Sequence, residues 1–217
     1  MGGSVGRLAL ALALVLSCES AAAGELEDER AGCLVRTLTR DGKRGVSVSA
    51  ECRWPVAAEQ VISVLRSPEC LEEVLSAVGE NRALPDGRLF QVHTPGWPFA
   101  DRQVTLEWRE HYQGPEGRLR IDFSRASEQE PVAEGRVPVP VDEGRWEVEA
   151  LAEHETALRY QVRYDAGGNL DPWLVERFQR GAVIRSLEEV RSRSETLPAV
   201  STAPSTPPTD EAADPID

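Results

Sequence analysis

The sequence predicts an α+β domain in which one long C-terminal helix lies across a strongly curved antiparallel sheet. Three observations carry this. Over residues 88–164 apolar side chains recur at every second position with polar ones between, the mark of a sheet that is wet on one face. Two short helical patterns precede that meander, and a long one follows it from Asp171-Pro172 to about residue 194. The chain, 217 residues, is long enough for one domain with a sizeable core.

The elements follow in order. Residues 34–39 and 46–50 alternate and are joined through Asp41-Gly42-Lys43-Arg44. With those four residues as the turn, Cys33 faces Cys52, a plausible disulfide in an oxidising compartment; the alternative is two unpaired buried thiols. Cys70 is then the odd cysteine, packed in a helix. Ala58, Val61, Ile62 and Leu65 make one helical face. Ser67-Pro68 supplies an N-cap and a first-turn proline for a second helix whose face is Leu71, Val74, Leu75 and Val78, stopped at Gly79. The meander's apolar face is expected to hold Phe90 and Val92; Val104, Leu106 and Trp108; Leu119, Ile121 and Phe123; Val137, Val139 and Val141; Trp146 and Val148; and Leu158, Tyr160, Val162 and Tyr164. Gly114-Pro115-Glu116-Gly117 and Asp142-Glu143-Gly144 read as turns, and Pro138 and Pro140 mark an edge or irregular strand. In the closing helix Leu174, Phe178 and Ala182 share one face and Val183, Leu187 and Val190 another, with Gly181 at the change.

The ends read as an address and a tail. Arg7 precedes an apolar run over residues 8–16, too short to span a bilayer and suited to a secretory signal. Cleavage falls either after Ala21-Ala22-Ala23, making residues 1–23 a signal peptide, or before Cys18, since Val15-Leu16-Ser17-Cys18 resembles a lipoprotein box with signal 1–17 and a lipidated Cys18. Either way the protein is exported, to a bacterial periplasm or envelope or to the medium. Residues 24–30 read as an acidic spacer, 31–194 as the folded domain and 195–217 as a disordered acidic Pro/Thr-rich tail. The formal charge of −13 excludes a nucleic-acid binder or a polybasic surface protein, but residues 31–194 carry only −5 of it.

No metal-ligand spacing, nucleophile elbow or phosphate loop is present, so the sequence implies no cofactor and no metal. His93, His111 and His154 read as surface or strand histidines rather than ligands.

Trp97-Pro98-Phe99-Ala100-Asp101-Arg102-Gln103 resembles the W-P-x-x-D-R-D segment of START domains, the steroidogenic-acute-regulatory-related lipid-transfer family. Tyr164-Asp165-Ala166-Gly167-Gly168-Asn169-Leu170-Asp171-Pro172-Trp173-Leu174-Val175 resembles that family's run into its last helix. The sequence departs from the pattern at Gln103, at Ala166, at the shifted Pro172, and at Cys70, where the family often has Trp. The resemblance, over roughly residues 33–194, implies a helix-grip fold around a hydrophobic cavity that binds one lipid or sterol-like molecule. In cholesterol-binding relatives an acid partners the motif Arg; the stretch expected to supply it here, residues 75–78, has none.

Arg102 shares the parity of Val104, Leu106 and Trp108 and so points inward. There it is either a polar anchor for a ligand or one half of an ion pair with Asp101 or Asp165. Val104, Leu106, Trp108, Phe123, Tyr160 and Tyr164 line or fill the cavity, and Trp97, Phe99, Trp173, Leu174 and Phe178 are gate candidates. The expected protein is a monomeric, non-enzymatic carrier of a lipid or other hydrophobic small molecule, with transient membrane contact. The alternatives are a polyketide cyclase or aromatase using the same cavity and an interaction module whose cavity has collapsed. The enzyme alternative needs a convergent acid, His or Tyr deep in the pocket, and the parity of His93, opposite to Phe90 and Val92, does not supply it.

Overall fold

The computed structural model describes residues 26–38, 45–113 and 117–198. The segment expected to be an export signal, Cys18, the expected turn at 41–44, the start of the one expected at Gly114 and residues 199–217 of the expected tail lie outside the described residues. Chain order runs β1 (Leu26–Arg30), β2 (Cys33–Leu38), β3 (Val46–Trp54), α1 (Ala58–Arg66), α2 (Pro68–Val74), β4 (Val78–Ala83), β5 (Leu89–His93), β6 (Arg102–Gln113), β7 (Arg118–Arg125), β8 (Val137–Pro138), β9 (Val141–Ala152), β10 (Glu155–Asp165) and α3 (Pro172–Thr196). The antiparallel strands lie in the order β1-β2-β3-β10-β9-β7-β6-β5-β4, and β8 joins β6 in parallel. The sheet curves around a core that α1 and α3 close.

The β2–β3 register pairs Cys33 with Cys52, and a disulfide joins them. Ser67 Oγ accepts from the backbone N–H of Cys70 and Asp171 Oδ1 from that of Trp173, so both helices start where their caps and prolines dictate. The two faces of α3 divide the labour. Val183, Leu187 and Val190 are buried in the core, each contributing about 1.5–3 kcal/mol on full burial. The turns nearer the N-terminus roof a cavity instead.

Several expectations are corrected. The acidic stretch 24–30 is not a spacer throughout: Leu26–Arg30 is the edge strand β1. Ala31 and Gly32, both at positive φ, form the two-residue turn that returns it along β2. The Ala31 carbonyl accepts from Trp54 Nε1 (2.9 Å) and Arg191 Nη1 (3.1 Å), which ties the turn to sheet and helix. The second helix stops at Val74, and Val78 opens β4 opposite His93 because that segment completes the far edge of the sheet. Asp142-Glu143-Gly144 is not a turn but part of β9, paired with Tyr164, Arg163 and Val162. Residues 195 and 196 belong to α3 rather than to the tail.

Phe90 and Val92 face away from the cavity, with Leu84, in a satellite cluster. Register explains this: Gln91 lies opposite Val104 and His93 opposite Arg102, so the odd residues of β5 share the inner face with the even residues of β6. The segment after β7 covers the outer face here. The Gln103 side chain donates to the Pro131 carbonyl (2.9 Å) and accepts from the Ala133 N–H (3.2 Å), and Thr105 Oγ1 accepts from the Glu130 N–H (3.1 Å).

Candidate functional site

A cavity of about 440 Å³ lies between the inner face of the sheet and α3, closed at one side by α2 and the start of β4. Its aromatic wall is a row of rings across four strands: Trp108 against Phe123 (6.0 Å), Phe123 against Tyr160 (6.4 Å) and Tyr160 against Trp146 (3.9 Å). Gly144 makes this row possible. A Cβ there would lie 2.6 Å from Phe123 Cζ and 2.1 Å from the Gln161 carbonyl oxygen.

The other end is polar. Gln91, His93, Arg102, Asp142 and Tyr164 all line it. Gln91 Nε2 donates to Asn81 Oδ1 (2.9 Å), which turns Gln91 Oε1 toward His93 Nε2 (3.3 Å). That oxygen only accepts, so Nε2 carries the imidazole proton and Nδ1 accepts from the Tyr164 hydroxyl (3.1 Å). Burial holds His93 neutral, pushing its pKa down to about 4. Burial, helped by the charge of Glu143, pushes Asp142 up to about 7. Both tyrosines are raised, first by burial and then by the charge of Asp142, with Arg102 opposing the shift at Tyr164. Asp142 is 5% exposed and its Oδ2 lies 3.8 Å from His93 Nε2.

Arg102 is 4% exposed and donates from Nε to the Ala166 carbonyl (3.4 Å) and from Nη1 to the Ala100 carbonyl. It pairs with neither Asp101 nor Asp165; two backbone oxygens hold it. The contact to Ala166 joins the two sequence motifs, one at the start of β6 and the other between β10 and α3. Asp165 instead accepts from the N–H of Gly167 (2.9 Å), whose positive φ turns the chain toward α3.

Of the residues expected at the site, Arg102, Leu106, Trp108, Phe123, Tyr160, Tyr164, Phe99 and Phe178 line the cavity. Phe99 meets Phe178 edge-on at 5.1 Å, so the β5–β6 loop closes against α3 there. Val104 is buried in the core off the cavity, Leu174 is half-buried off the cavity, and Trp97 (95% exposed) and Trp173 (61% exposed) stand outside it. His93 and Asp142 were missed, one by a reversed parity and the other by being read as a turn. The pairing of β5 with β6 places His93, and that of β9 with β10 places Asp142. Among the described residues no group of three His, Cys, Asp or Glu side chains could hold a metal ion.

No family model matches the chain. An uncharacterized protein of Pseudomonas aeruginosa, PA1579, is 31% identical over 99 residues, 46% of this chain and 48% of that protein, so the match spans about half the length of the relative. The STAR-related lipid transfer protein of Xanthomonas axonopodis superposes with a TM-score of 0.67 at 20% identity, over 79% of this chain and 99% of that one. Human StAR-related lipid transfer protein 5 gives 0.70 at 13%, over 82% and 88%. The Zhui aromatase/cyclase of a Streptomyces species gives 0.50 at 14%, over 69% and 93%. At these identities the likeness is one of backbone, and the chain shares the helix-grip α+β fold of those two STAR-related lipid transfer structures.

Proposed function

We propose that the chain is an exported, monomeric carrier that binds one hydrophobic small molecule in its cavity and moves or sequesters it across an aqueous gap. The observation that carries this reading is the cavity itself, an aromatic chamber of about 440 Å³ with one polar end, roofed by the N-terminal half of α3, most of whose described residues are half-buried. Two proteins that share the fold are named for lipid transfer. The Phe99–Phe178 contact is the gate, and the exposed Trp97 and Trp173 are the residues for transient membrane contact. Export rests on the signal-like residues 1–23, with Cys18 as the lipidation alternative.

A second reading, a cyclase-like enzyme, gains from one observation: His93, Asp142 and Tyr164 converge in the cavity. Native mass spectrometry of the purified protein after incubation with a lipid extract tests both. The carrier reading expects one bound molecule per chain, recovered chemically unchanged, and a raised melting temperature. Recovery of a dehydrated or cyclised product would favour the enzyme, and no bound mass with no thermal shift across lipid classes would reject both.

A further inference from the structure

The polar end of the cavity looks at first like a carboxylate site, because Arg102 is there. Part of its bonding is already committed. Nε and Nη1 of Arg102 are directed to the carbonyls of Ala166 and Ala100, where they hold the two loops at the cavity mouth. The other cavity-lining arginine, Arg185, is exposed on α3, where water screens it. The Tyr164 hydroxyl donates to His93 Nδ1, and His93 Nε2–H is directed to Gln91. Asp142 differs from all of them. It is nine-tenths buried, it lines the cavity, and its carboxylate accepts no hydrogen bond from the described residues; His93 Nε2 lies 3.8 Å from its Oδ2. A buried acceptor without a donor costs free energy that a ligand's donor would recover.

We infer that Asp142 is the specificity-determining residue of the cavity and that the ligand ends in a hydrogen-bond donor, an amine or an alcohol, rather than in a carboxylate. A fatty-acid head would set a second anion beside Asp142 in a largely buried site. An amine or hydroxyl meets an acceptor fixed in place by β9. A hydroxyl also complements the Tyr160 side chain, which lines the same cavity and whose pKa responds to the charge of Asp142. The inference rests on the carrier reading and deepens it.

The test is calorimetric titration of the full chain at pH 7.5 with decane, 1-decanol, decylamine and decanoate, which share one apolar body. Decanol and decylamine should each bind about ten-fold or more tightly than decanoate, the range of one hydrogen bond to a charged group. Asp142→Asn should leave decane binding unchanged and shrink the gap between decylamine and decanoate to within about two-fold; Asp142→Thr, which suits a strand, is the second variant should the first fail to fold. Arg102→Gln should leave the ranking as it is. Decanoate binding as tightly as decanol in the wild type, or a ranking lost in Arg102→Gln and kept in both Asp142 variants, overturns the inference and leaves the carrier reading standing. Failure of all four probes, decane included, overturns both.

Discussion

Replacing Asp142 should change the pH dependence of stability in a way that exposes its neighbour. In the native chain Asp142 titrates at about 7 against 3.8 for a free side chain, and His93 at about 4 against 6.5. Between pH 4 and 6.5 the native state therefore keeps a proton on Asp142 that the unfolded chain has lost, and lacks one on His93 that the unfolded chain has gained. The first makes stability fall as pH rises and the second makes it rise, so the two slopes nearly cancel. Asp142→Asn removes the falling half. The variant should then gain about 3 kcal/mol over that interval, at about 1.36 kcal/mol per pH unit, while His93→Gln should lose about 4 kcal/mol between pH 4 and 7. The groups facing the pair are Arg102, Tyr160, Tyr164 and, along the strand, Glu143, and both variants keep them. Urea unfolding followed by tryptophan fluorescence at fixed ionic strength measures this. Subtracting the wild-type profile removes the surface carboxylates common to all three proteins. Profiles that run parallel would refute the reasoning, because they would mean that neither group changes its proton affinity on folding.

Two further predictions concern the scaffold. Gly144→Ala places a methyl 2.1 Å from the Gln161 carbonyl oxygen, where backbone must yield, and should cost about 1–3 kcal/mol; an unchanged urea midpoint would contradict the assigned register at Phe123 and Val162. Reducing the Cys33–Cys52 disulfide, which spans 19 residues of sequence, should cost about 3 kcal/mol, read as the shift in urea midpoint with and without dithiothreitol, and equal midpoints would reject it.

What was legible in the sequence was local. The hairpin register, the caps at Ser67 and Asp171 and the alternation of β6, β7 and β10 each depend on residues close together in the chain. The two strands that were not seen, β1 and β4, are the two edges of the sheet. An edge strand has one neighbour and is protected from further pairing by charge, so Leu-Glu-Asp-Glu-Arg and Val-Gly-Glu-Asn-Arg-Ala carry little apolar alternation. The acidity that suggested a spacer at residues 26–30 is in this sense what suits that segment to the edge.

The site was harder for a different reason, and it lies in β5. Alternation tells inside from outside only where one face is wet. At β5 and the first half of β6 both faces are dry, one against the cavity and the other under the segment carrying Gln129 to Ala133. Phe90 and Val92 are therefore as buried as the inner residues, and an apolar parity chosen from the sequence alone selects the wrong face. That choice turned His93 outward and removed the cavity's polar end from view. Once the register places His93 opposite Arg102 and Asp142 opposite Tyr164, the polar end comes from β5, β6, β9 and β10, four strands that only the fold brings together. The pairing of Gly144 with Phe123 and Val162 follows from the same register, so a turn at Asp142-Glu143-Gly144 is incompatible with the aromatic wall. Wall and polar end are consequences of one strand running straight through a sequence that looks like a bend.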